Sequence, residues 1–210
     1  MSFKTIIRIL VLPVILCAAF QVNASAQNFA LKTNLLYDAT ATVNVGAEVG
    51  LAPKWTFDLS GNIHFWDAWG EKKFRHWLVQ PEARYWFCER FNGHFLGFHA
   101  LGGQYNFGNF SNNITWFPWG FKGDGKFATG SLQPLSDHRV QGWGVGAGVA
   151  YGYSFILGEH WNLEFEIGVG YIYTRYDVYQ CKDCGKKITE NNPYHYVGPT
   201  KAAINLVYEF

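Results

Sequence analysis

The last ten residues, Lys201 to Phe210, carry apolar side chains at every even position: Ala202, Ile204, Leu206, Tyr208 and Phe210. Lys201, Asn205 and Glu209 fall in the other set. Successive side chains of a strand point to opposite faces, so this stretch reads as a strand with one apolar and one polar face. The apolar face needs a surrounding other than water, and the polar face needs partners of its own.

The same alternation recurs through the chain, and about eight segments of strand length can be drawn. They run near Phe29 to Asp38, Val43 to Leu51, Trp55 to Trp66, Arg75 to Phe87, His94 to Phe107, Gln141 to Leu157, Trp161 to Tyr176 and Lys201 to Phe210. Pro81 inside the fourth implies a bulge or a locally unpaired position, since proline cannot donate to a ladder. In the fifth, Leu96, Phe98 and Ala100 share one parity with each other, whereas Tyr105 and Phe107 have the opposite one. If all five point outward, a second bulge lies near Gly102-Gly103. The sixth sets Trp143, Val145, Val149, Tyr151, Tyr153 and Phe155 against a face of glycines, which accepts large side chains from across a narrow interior.

Connections alternate in length. Ala52–Lys54, Cys88–Gly93 and Gly158–His160 are short, as is Ala39–Thr42 on the other side, where Asp67–Phe74 is medium and the stretches near Gly108–Val140 and Asp177–Pro199 are long. Such asymmetry, with aromatic residues grouped at the strand ends, predicts an eight-stranded antiparallel up-and-down transmembrane β-barrel with both termini on the short-turn side. The rims are expected at Phe29, Trp55, Phe87, Phe155, Trp161 and Phe210 on one side and at Tyr37, Phe65, Trp77, Trp143 and Tyr173 on the other.

Lys4 and Arg8 stand at the head of an apolar run from Ile6 to Phe20, and Ala24-Ser25-Ala26 supplies a small-residue cleavage pattern. Residues 1–26 are therefore expected to be a signal peptide, with residues 27–210 forming the barrel. A formal net charge of +1 offers no basic field for nucleic acid.

The closing strand resembles that of bacterial outer-membrane barrels, in which a terminal aromatic and alternating apolar residues are read by the barrel-assembly machinery. That resemblance makes Phe210 and Tyr208 the expected assembly signal. It places the protein in the outer membrane, its termini in the periplasm, with membrane lipid and that machinery as partners.

Lys32, Glu48, Glu82, Arg84, Glu164, Glu166 and Lys201 all fall on polar faces, together with Asp58, Glu209, His64, His76 and His99. An eight-stranded interior is just filled by side chains, so these groups are expected to pair as a lumen network, with Lys201 held by Glu164, Glu166 or Glu82. Trp116, Phe117 and Trp119 in one long loop read as a contact surface for a partner, or as a lid over the mouth or a headgroup contact. Cys181 and Cys184 read as a local disulfide, or as half of a metal site or redox pair; Cys88 reads as a buried or spare thiol. No nucleophile elbow, zinc-protease motif or dinucleotide fingerprint is present. Ser136, Asp137 and His138 are adjacent in one loop, which is not the separated geometry of a catalytic triad. No cofactor is implied.

Leu31-Lys32-Thr33-Asn34-Leu35-Leu36-Tyr37-Asp38, Val45-Gly46-Ala47-Glu48 and Gln80-Pro81-Glu82-Ala83-Arg84-Tyr85-Trp86 resemble the pattern of an uncharacterised family of Bacteroidota outer-membrane proteins. Gly97-Phe98-His99 and Gly103-Gln104-Tyr105-Asn106 extend the similarity over nearly the whole mature chain. Some members resemble accessory proteins encoded near fimbrial subunits. The resemblance thus implies a surface anchor or accessory protein, possible partners among surface or fimbrial proteins, and no catalytic residues. The rival expectations are a lipid-modifying barrel enzyme, for which His138 and Ser136 are the candidates, and a narrow pore or carrier for small apolar molecules.

Overall fold

The computed structural model describes residues 29–68, 72–108, 120–121, 127–128, 138–180 and 186–210. The expected signal peptide at 1–26 lies outside them. Eight long strands carry the fold: β1 (Phe29–Asn34), β2 (Val43–Ala52), β3 (Trp55–His64), β4 (Lys72–Trp86), β5 (Gly93–Gly108), β6 (Arg139–Ile156), β7 (Trp161–Tyr179) and β8 (Lys187–Glu209). Each pairs antiparallel with its sequence neighbour, and β1 pairs with β8 from Ala30–Glu209 to Asn34–Asn205, so the sheet closes into a ring.

The ring is inside out relative to a water-soluble protein. Lys32, Glu48, Asp58, Glu82, Arg84, Glu164, Glu166 and Lys201 are buried within it, while Val45, Leu59, Phe98, Val145, Ile167 and Val169 are exposed on the outside. The glycine face of β6 does receive large side chains. A Cβ on Gly148 would come within 2.7 Å of His99 Nε2, and one on Gly97 of β5 within 2.6 Å of the Glu82 carboxyl carbon.

Several sequence expectations are corrected. The first strand stops at Asn34, and Leu35–Ala39 forms a short helix, α1. Its adjacent Leu35 and Leu36 break the alternation, and Asn34 caps it by accepting from the Leu36 N–H at 3.0 Å. Tyr37 therefore does not join the outer rim, whereas Phe65, Trp77 and Trp143 are exposed there.

No bulge occurs at Gly102-Gly103. The register of β5 with β6 runs unbroken from Gly93–Ser154 to Gly108–Arg139, so Tyr105 and Phe107 point inward. Tyr105 fits inside here because the facing position of β6 is Gly142, while Phe107 packs against Val140; this is a volume argument that alternation alone does not carry. At Pro81 the register is likewise unshifted, but pairing to β5 lapses between Val79–Gly102 and Glu82–His99. The stretch read as a long loop before the closing strand is instead its outer half: β7 and β8 pair as far as Tyr179–Lys187. A register shift separates Gly168–Lys201 from Val169–Pro199, leaving Thr200 as the extra residue. The bulge turns both Thr200 and Lys201 inward.

Candidate functional site

Arg84 of β4 stands at the centre of the interior. Its Nε lies 2.5 Å from Glu82 Oε1, one terminal nitrogen lies 2.8 Å from Glu48 Oε2 and 3.1 Å from Glu164 Oε2, and the other lies 2.8 Å from Glu166 Oε2. One guanidinium thus joins β2, β4 and β7 across the ring. Its five N–H donors in a rigid plane suit it to several carboxylates at once.

Two lysines complete the network from the seam strands. Lys32 of β1 pairs with Glu48 and lies 3.0 Å from Asp58 Oδ2 and 3.4 Å from Glu164 Oε2. Lys201 of β8 lies 2.7 Å from Glu82 Oε2 and 2.9 Å from Glu166 Oε1. Thr56 donates to Glu48, Asn205 donates to Glu164 at 3.3 Å, and Trp86 Nε1 donates to Thr56 Oγ1 at 2.9 Å. On the outer side His99 Nε2 meets Thr200 Oγ1 at 2.8 Å, a contact made available by the bulge.

All seven residues expected in the lumen network lie within this one cluster, and of the three carboxylates proposed for Lys201 it engages Glu82 and Glu166. Three cations face five carboxylates, counting Asp58, so the buried cluster carries a surplus of acid. Towards the short-turn end it rests on an apolar floor of Ala30, Trp86, Phe91, Phe95 and Val207. Arg84 Cζ sits 4.5 Å above the Phe95 ring. Charged layer and apolar floor together form a plug across the ring.

Sequence reasoning missed Trp86 and Phe95, both fully buried. Their signal was present: each has the parity of the polar face, and only their apolar character hid them. Glu209 accepts from Asn162 at the start of β7. His64 and His99 are buried as expected of a polar core, and His64 Nδ1 lies 2.5 Å from the Phe74 carbonyl oxygen.

Trp116, Phe117, Trp119, Cys181, Cys184, Ser136 and Asp137 lie outside the described residues. Cys88 is exposed and unbonded to another cysteine, which removes the buried reading of that thiol. Phe210 donates its N–H to the Phe29 carbonyl at 3.0 Å, and Tyr208 packs against the Phe210 ring at 5.0 Å between centroids. Among the described residues no group of three or more His, Cys, Asp or Glu converges to hold a metal ion.

A family model described as a protein of unknown function, DUF3575, matches residues 10–210. The chain belongs to that family. No curated protein and no solved structure matches the chain. Two of the stretches singled out in the sequence carry the fold: Lys32 to Asn34 lie in the seam with β8, and Glu82, Arg84 and Trp86 belong to the plug.

Proposed function

We propose that this DUF3575 protein is a small outer-membrane β-barrel with its termini in the periplasm. Its sealed interior is a rigid base for outer loops that anchor or assist surface structures, fimbriae or the envelope among them. The observation that carries this reading is the apolar outer face around a charged, plugged interior. Such a surface is stable in lipid, where every strand must also pair with a neighbour, and a ring of eight strands leaves no long edge unpaired. Six aromatic residues, Phe29, Trp55, Phe87, Phe155, Trp161 and Phe210, are exposed at the short-turn end, the position of an interfacial belt.

The plug argues for a scaffold over a pore, because ions would have to cross a layer of directly paired charges. Binding residues collect on loops held by a rigid frame, and Trp116, Phe117 and Trp119 belong to the longest connection. Epitope tags after Asn112 and after Lys186 test the arrangement. Antibody access on intact cells is expected, with loss of co-purifying surface proteins when Trp116, Phe117 and Trp119 are replaced by serine. Access only after the outer membrane is broken, or steady conductance in a planar bilayer, overturns it.

A further inference from the structure

We propose that the outer half of the ring is a binding chamber for one small, flat, mainly apolar molecule about the size of two fused rings. Above the plug lies a cavity of about 310 Å3, lined by side chains from β4, β5, β7 and β8 that include Phe74, Tyr105, Phe107, Ile172, Tyr194 and Tyr196. Close-packed interiors leave few voids larger than a water molecule. The apolar floor of the same ring obeys that rule, with Trp86 and Phe95 fully buried beneath Arg84.

Two glycines keep the outer half open. At Gly103 a Cβ would run into the Trp77 carbonyl, so no larger residue fits there. Gly144 is different: a Cβ would make only ordinary contacts, 3.5 Å to Ile172 and Thr174. Backbone crowding therefore does not require glycine at that position, and the space it leaves is space a ligand can use.

The walls define the ligand. Phe74 and Phe107 stack at 5.1 Å and 16°, and Tyr105 and Phe107 at 5.3 Å and 23°, giving three nearly parallel rings on one side. A planar aromatic molecule extends such a stack. An apolar cavity of about 150 Å3 holds one benzene ring, so roughly twice that volume admits two fused rings with a small substituent. Polar groups are few. His76 and the Tyr105 hydroxyl, 2.8 Å from Thr174 Oγ1, line the chamber and suit one hydroxyl or ring nitrogen on the ligand. Lys201 below is already paired with Glu82 and Glu166, so it is not available as a counter-ion for an anionic molecule. Because the plug closes the floor, the chamber retains its ligand and does not pass it through.

The test is equilibrium dialysis of 2-naphthol against the purified full chain in non-ionic detergent, with protein-free micelles as reference. Saturable uptake of one equivalent above the micelle background is expected. Gly144→Leu and Ile172→Phe, which fill the chamber, should each weaken it at least tenfold without lowering the thermal midpoint, while Gly158→Leu in an open turn should leave it unchanged. Wild-type uptake equal to that of empty micelles overturns the proposal, and so does unchanged binding in either folded chamber variant. Neither result bears on where the protein resides, which the epitope tags decide separately.

Discussion

Lys201 Nζ lies 2.7 Å from Glu82 Oε2, bringing together residues 119 positions apart in the chain. The pair spans the interior from β8 to β4, so it reports on the closed ring and on neither strand alone. Removing one partner of a buried ion pair costs about 3–5 kcal/mol because the other charge is left uncompensated. Lys201→Met should therefore lower the thermal midpoint in detergent well below that of Lys54→Met, whose ammonium donates to the Phe87 carbonyl on an exposed turn. Equal midpoints would place Lys201 in solvent.

The surplus of carboxylates predicts an asymmetry between removing acid and removing base. Glu166→Gln keeps an oxygen to accept from Arg84 and takes away one excess negative charge, so stability should change by no more than about 1 kcal/mol. Arg84→Met leaves four carboxylates, Glu48, Glu82, Glu164 and Glu166, without their shared cation. It should be the more damaging change, exceeding Lys201→Met, as chemical denaturation of the three variants will show. A Glu166→Gln protein as unstable as Arg84→Met would mean that each acid is individually required.

Much of this architecture was legible because period-two alternation directly reports which side chains share a face. Glu48, Asp58, Glu82, Arg84, Glu164 and Glu166 could be placed inside without knowing any pairing. What alternation did not reveal was depth and volume. Tyr105 and Phe107 were assigned outward because aromatic residues suit a membrane-facing surface, yet Gly142 on β6 makes room for Tyr105 inside and Phe107 packs against Val140 there. The bulge at Thr200 was hidden for another reason: it directly follows Pro199, and a proline usually marks the end of a strand. The switch from β1 to α1 turned on the capping side chain of Asn34, a local hydrogen bond that competes with strand pairing.

That seam supplies the next prediction. Asn34 Oδ1 caps α1 and also accepts from the Ile204 N–H at 3.3 Å, while Asn44 Nδ2 donates to Asp38 Oδ1 at 2.7 Å. Loss of a capping side chain costs about 0.5–2 kcal/mol. Asn34→Ala should lie within that range and should raise amide exchange at Ile204 more than at Phe165, its pairing partner on the adjacent strand β7. Uniform exchange across both would show that the capping contact does not secure the seam.

At the outer tip of the β7–β8 hairpin, burial opposes ionisation of Asp177, but the Asn191 N–H at 2.7 Å and the Lys187 ammonium at 2.9 Å outweigh it and hold its carboxyl below the usual range. Lys187 is shifted upward by Glu190 and by Asp177. A lowered carboxyl pKa stabilises the fold above its unfolded value and loses that contribution as pH falls through the folded one; a raised lysine pKa contributes below its unfolded value and is lost as pH rises through the folded one. Exchange protection around Val178 and Thr189, corrected for intrinsic rates, should thus be flat between about pH 5 and 9 and fall only outside that window. A step between about pH 6 and 7 would instead assign control of the tip to a histidine.

Phe210 closes the ring from the other end. Its N–H donates to the Phe29 carbonyl at 3.0 Å, and its ring meets Phe29 at 5.6 Å and Tyr208 at 5.0 Å. Aromatic pairs contribute about 0.5–1.5 kcal/mol beyond the area they bury. Phe210→Ala keeps the backbone hydrogen bond and loses both ring contacts, whereas Phe210→Tyr keeps all three. If Phe210 acts only by packing, the alanine variant should be destabilised by about the sum of two such pairs yet reach the same folded yield in cells. If it also belongs to an assembly signal, the alanine variant should accumulate unfolded in the periplasm while the small amount that folds melts only a few degrees lower. Quantifying heat-resistant protein in membranes alongside the melting temperature of the purified fraction separates these outcomes. Normal yield and an unchanged melting temperature together would remove both roles from Phe210 and leave the closure to the five backbone-paired residues of β1.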